Sequence, residues 1–159
     1  MATNKSSQPT SNDQSQMTVD DAFKNAVDHF NVERYTEADK LCTAIIQAVP
    51  NHIDAINLLG IIAQKVNRHD LAIEQFQKAI NIDNAKTLLY YNLGTSLYPL
   101  GRKDEAVKVL KIALEMEPGN SQISSYLNGI LNDFISKPEI SDPQNKEKKV
   151  LQQGISFHQ

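Results

Sequence analysis

With 159 residues, 40% of them hydrophobic and 22% charged, and a formal net charge of −3, the chain has room for one domain with a real core and not for two. The near-neutral balance argues against a general attraction to DNA, RNA or anionic lipid. No run reaches the roughly 18 apolar residues that span a bilayer, no apolar stretch follows Lys5 as in a secretory leader, and Cys42, the one cysteine, has no internal disulfide partner, so a cytoplasmic, reducing setting without membrane insertion is expected.

In chain order, residues 1–17 are mostly Ser, Gln, Asn, Thr and Asp and are expected to form a disordered N-terminal segment. From Thr18 to Ile135 apolar residues recur at helical spacing, broken by Asn, Gly, Pro or charged turns. Helices are predicted over 18–31, 35–48, 51–66, 69–82, 85–99, 103–116 and 119–135. Thr18 and Asn51, each followed three residues later by an Asp, read as N-caps, while Asn67 and Gly101 suit the left-handed residue that ends a helix. Pro99 is expected to kink or end its helix. Residues 136–146, with Pro138 and Pro143, read as a polar linker, and 147–159 as a short helix or the start of a further repeat. No alternating apolar and polar run suggests a strand, so the chain is predicted to be all-α, with short turns joining antiparallel helix pairs.

The segment also repeats itself. Asn57-Leu-Leu-Gly60 returns as Tyr91-Asn-Leu-Gly94, and each glycine is followed at equal distances by Ala72 or Ala106, Phe76 or Leu110, and Ala79 or Ala113. One period earlier stand Ala26, Ala38, Cys42 and Ile45, with Pro50 closing the unit as Pro118 closes the third. The period is 34 residues, which gives repeats of about 19–52, 53–86 and 87–120 and a capping helix at 121–135. Small residues at Gly60, Gly94, Ala26, Ala38, Ala72 and Ala106 permit close helix approach. Phe76, Leu110, Ala79 and Ala113 share one helix face and fill the space between neighbours.

This pattern resembles the tetratricopeptide repeat family over residues 18–135. The third unit carries Tyr90, Leu93, Gly94, Leu97, Gly101, Ala106, Leu110, Ala113 and Pro118 in register. The second has Ile56, Leu59, Gly60, Ala63, Ala72, Phe76 and Ala79, but Asn84 in place of the proline and Asn67 at the turn glycine. The first is loosest, with Ala22 at the bulky position and Asn25 for the Leu. The resemblance implies an α-solenoid of three helix-turn-helix repeats plus a C-terminal capping helix, of a bacterial type. It also implies a concave groove lined by the first helix of each unit. The partner-binding positions there would be Phe23, Val27, Phe30, Asn57, Ile61, Gln64, Tyr91, Asn92, Thr95, Tyr98 and Tyr126. The carboxylate clamp of some family members would need Lys and Asn at Phe23, Val27, Asn57, Ile61, Tyr91 and Thr95, and only Asn57 fits. An asparagine ladder like that of N-acetylglucosamine-transferring enzymes would have one rung, Asn92, since its equivalents are Lys24, Leu58 and Tyr126.

Catalysis, a metal and a cofactor are not expected. His29, His52, His69 and His158 lack metal-ligand spacing, Glu33 four residues after His29 adds one pair only, and no phosphate-binding glycine loop or nucleophile motif occurs. Cys42 reads as a buried packing thiol, and Lys146, Lys148 and Lys149, interrupted by Glu147, as a solvated helix start. The expected function is a non-catalytic scaffold that binds a peptide or protein, with self-association through exposed repeat ends as a further possibility. Residues 151–159 overlay 23–31 of the first repeat. The alternative is therefore the N-terminal recruiting segment of a larger bacterial glycosyltransferase, methyltransferase or sulfotransferase.

Overall fold

The computed structural model describes residues 17–136, which form seven α-helices and no strand. They are α1 (Val19–Asn31), α2 (Tyr35–Ala48), α3 (Ile53–Lys65), α4 (His69–Ile82), α5 (Thr87–Leu97), α6 (Lys103–Met116) and α7 (Ser121–Ser136), with a 3-10 turn at Tyr98–Leu100 between α5 and α6. The expected N-terminal segment, apart from Met17, and the segments 137–146 and 147–159 lie outside the described residues.

The 34-residue period is obeyed to the residue. First helices begin at Val19, Ile53, Thr87 and Ser121, second helices at Tyr35, His69 and Lys103, and second helices end at Ala48, Ile82 and Met116. Each turn inside a unit is built alike. Glu33, Asn67 and Gly101 have φ of 59°, 58° and 74°. The amide of the following arginine then reaches back to a first-helix carbonyl: Arg34 to His29, Arg68 to Ala63 and Arg102 to Leu97. The asparagine and the glycine were expected at this position, whereas Glu33 was not.

Helix starts follow local chemistry. Thr18 forms a full capping box with Asp21, its hydroxyl oxygen accepting from the Asp21 amide at 3.1 Å while the Asp21 carboxylate accepts from the Thr18 amide at 3.3 Å. The cap of α3 is His52 and not Asn51: its Nδ1 accepts from the Ala55 amide at 3.1 Å, so the helix starts two residues later than predicted. Pro99 ends α5 at Leu97 and turns the remainder into 3-10 geometry. Asn120 Oδ1 accepts from the Ile123 amide at 3.1 Å at the start of α7, which runs on through Ser136, the first residue of the expected linker.

Successive helices pack in chain order, and no unit could bury its apolar stripe alone. One buried cluster joins Ala26, Ala38, Cys42, Ile45, Ala55, Leu58 and Ile62 across α1, α2 and α3. A larger one runs from Ala63, Ala72 and Phe76 through Leu93, Leu97 and Leu110 to Ile123, Leu127 and Ile130 on α7. Cys42 has no exposed surface, as expected of a packing thiol, and burial, followed by the nearby Asp39 carboxylate, pushes it up to about 12.

Candidate functional site: the inner face of the repeat stack

The first helices lie side by side, α1 touching α3 and α3 touching α5, and form the inner face of the stack. Ten of the eleven expected groove residues are partly exposed on it: Phe23, Val27, Phe30, Asn57, Ile61, Gln64, Tyr91, Thr95, Tyr98 and Tyr126. Asn92, the eleventh, is 7% exposed and belongs to the floor.

Three chemically distinct zones follow one another. The first is apolar: Phe23 lies 5.3 Å from the His52 ring and Phe30 lies 5.6 Å from Tyr35, with Val27 between the two phenylalanines on α1. The middle zone is an amide and hydroxyl network. Asn92 Nδ2 donates to Asn57 Oδ1 at 3.1 Å. Gln64 Nε2 reaches Ser96 Oγ at 2.7 Å, Thr95 Oγ1 at 2.9 Å and the Asn92 carbonyl at 3.0 Å. The Thr95 and Ser96 hydroxyls in turn donate to that same carbonyl. Fully buried Ser96 therefore has its hydrogen bonds satisfied.

The third zone is made of tyrosines. Tyr126 on α7 meets Tyr91 at 5.9 Å and Tyr98 at 6.3 Å, both edge-to-face. Gln122 donates to the Tyr91 hydroxyl at 3.1 Å, and the Tyr98 hydroxyl donates to Asp133 at 2.9 Å. Lys103 pairs with the same Asp133 oxygen at 2.7 Å while its ammonium lies 5.9 Å from the Tyr98 ring centre. The hydrogen bond to Asp133 favours the protonated Tyr98 and raises its pKa; burial, with Tyr91 beside it, does the same for Tyr126. A cavity of about 180 Å³ opens beside Tyr91, lined by Leu88, Glu117 and Gln122 among others.

Sequence spacing gave no sign of the residues that touch these side chains: His52, Tyr35, Ser96, Lys103, Gln122 and Asp133. No repeat spacing marks Ser96 or Asp133, because the two stand at different positions of the 34-residue period. Among the described residues no group of three or more His, Cys, Asp or Glu could hold a metal, and no helix is long and apolar enough to cross a membrane.

Residues 53–86 and 88–120 each match the family model for the tetratricopeptide repeat. The chain carries tetratricopeptide repeats. It is 29% identical over 119 residues to sperm-associated antigen 1 of Mus musculus, a match that takes 74% of this chain but spans only 13% of that protein. The first tetratricopeptide domain of Spaghetti (RPAP3) bound to the HSP90 peptide SRMEEVD superposes with a TM-score of 0.71 at 20% identity, covering 74% of this chain and 93% of that one. The Yersinia enterocolitica type III secretion chaperone SycD, in complex with a peptide of the translocator YopD, gives 0.70 at 21% identity, covering 80% and 100%. These likenesses fix the fold of the tetratricopeptide array.

Proposed function

We propose that this tetratricopeptide array is a non-catalytic scaffold that holds a segment of a partner protein along its inner face. The observation that carries the reading is the stripe of partly exposed apolar and aromatic side chains on the first helices and the 3-10 turn after α5, Phe23, Val27, Phe30, Ile61, Tyr91, Tyr98 and Tyr126. Such a surface suits an extended or helical peptide that brings apolar side chains to an aromatic-lined groove. The solved peptide complexes of Spaghetti and SycD support the reading, because the same fold takes a peptide in both.

The partner segment is apolar rather than acid-ended. Phe23, Val27, Ile61, Tyr91 and Thr95 offer no cation to a terminal carboxylate, and Asn57 already accepts from Asn92. As part of the same reading the scaffold works in the cytoplasm, a setting its single buried thiol suits.

The test is capture from lysate by the full chain and by a Val27→Glu/Ile61→Glu variant shown by its melting to be folded, read by mass spectrometry. A protein retained by the parent and lost with the variant is expected. An identical set of proteins on both would remove the inner face as the binding site.

A further inference from the structure

In the 34-residue register two sets of positions recur at the junctions between neighbouring first helices: an outer set of 23 and 58, 57 and 92, and 91 and 126, and an inner set of 30 and 62, 64 and 96, and 98 and 130. At the first junction Phe23 and Phe30 pack on the cluster that holds Leu58 and Ile62. At the second, Asn92 donates to Asn57 at 3.1 Å and Gln64 donates to Ser96 at 2.7 Å. At the third, Tyr91 meets Tyr126 at 5.9 Å, and Tyr98 packs on the cluster that holds Ile130. The first junction is apolar on both sides, the second polar on both sides, and the third sets Tyr91 on Tyr126 with Tyr98 beside the cluster of Ile130. Among the described residues three polar side chains are buried, and two of them, Asn92 and Ser96, belong to the middle junction.

We infer that the polar rungs Asn57–Asn92 and Gln64–Ser96 key the junction between the second and third repeats, so that its register is specified by rung chemistry as well as by shape. The physical reason is the cost of a mismatch. A junction slipped in register that set Phe23 or Tyr91 opposite Asn92 would leave a buried amide without its partner. Phe30 opposite Ser96 would remove the Gln64 donor, while the Ser96 hydroxyl kept its own bond to the Asn92 carbonyl. A single buried asparagine sets register in coiled coils by the same penalty. It follows that Asn57 and Asn92 hold the floor of the groove, while Val27 and Ile61, which belong to neither rung, stay open to a partner beside the exposed parts of Phe23 and Tyr91.

Double-mutant cycles on the full chain, read by thermal midpoint, test this. Asn57→Phe and Asn92→Leu together copy the first junction's rung into the second. Each single change is expected to lower the midpoint by about 3–6 °C, and the pair to recover at least half of the combined loss. The cycle Asn57→Leu with Asn92→Leu gives a smaller apolar rung and carries the same expectation. Losses that simply add in both cycles would overturn the inference. So would a pair that fails to fold while its single variants fold, or an Asn92→Leu change that raises the midpoint alone.

Discussion

Gly60 faces the ring of Phe76 so closely that a Cβ on it would stand 2.5 Å from Cε1 and 2.7 Å from Cζ. Phe76 has no exposed surface, so its ring has nowhere to retreat. Gly94 stands in the same relation to Leu110, with a virtual Cβ 2.6 Å from Cγ. In the first repeat the equivalent pair is Ala26 and Cys42, both fully buried, where the smaller second-helix residue leaves room for the methyl group. Gly60→Ala is therefore expected to cost about 1–3 kcal/mol through overpacking. In a Phe76→Cys background the clash is gone and the better helix propensity of alanine remains, so the same change should become neutral or stabilise by up to about 1 kcal/mol. Urea melts of the four proteins in this cycle check the change of sign.

The Cys42 thiol should be inert in the folded protein. Burial, with the Asp39 carboxylate near it, carries its pKa from 9.0 up to about 12, and the thiolate is the reactive form. Labelling with a thiol-specific disulfide reagent at pH 8 is expected to be slow in buffer and rapid in denaturant. Linkage gives a second consequence. The unfolded chain ionises near pH 9 while the folded one holds its proton to about 12, so the stability Cys42 contributes is intact below pH 9 and is lost as pH rises through that interval. A Cys42→Ala variant should lose less stability than the parent between those two values.

Removal of the first cap should loosen α1 first. Thr18→Ala takes away the hydroxyl that accepts from the Asp21 amide and is expected to cost about 1 kcal/mol. Amide exchange should accelerate at the start of α1 and leave α5 unchanged. The hydrogen bonds from Thr18 lower the Asp21 pKa below 3.8, so the contribution of the box is present above that value and fades as pH falls beneath it.

The three left-handed turns offer a graded test. Glu33 holds φ of 59° with a full side chain, whereas Gly101 holds 74° without one. Glu33→Gly relieves a strain of about 1–2 kcal/mol but adds freedom to the unfolded chain, and a net gain of about 0.5 kcal/mol or more is expected. Gly101→Val, which brings a β-branched residue to the same geometry, should destabilise. Equal midpoints for the parent and both variants would contradict this account of the turns.

The helices, the 34-residue period and the small-to-large packing were legible because they are written in local spacing. What escaped the sequence depends on neighbours in space. His52 is a weak N-cap by type, yet it caps α3 in place of Asn51 beside the Phe23 ring. Glu33 is left-handed because stacking demands the same turn in each unit, not because glutamate prefers it. The contacts Gln64–Ser96 and Tyr98–Asp133 cross junctions, and side-chain direction there follows only once the repeats are stacked. Asn92, expected as an open groove position, is drawn onto the floor by Asn57.

The most direct test of the inner face as a binding surface is site-specific photo-crosslinking with a benzophenone side chain. It would be placed at Ile61 on α3 in one protein and at exposed Lys78 on α4 in another, and the adducts sequenced by mass spectrometry. The scaffold reading predicts discrete partner peptides joined to position 61 and none joined to position 78. Adducts at position 78 alone, or the same adducts at both, would contradict it.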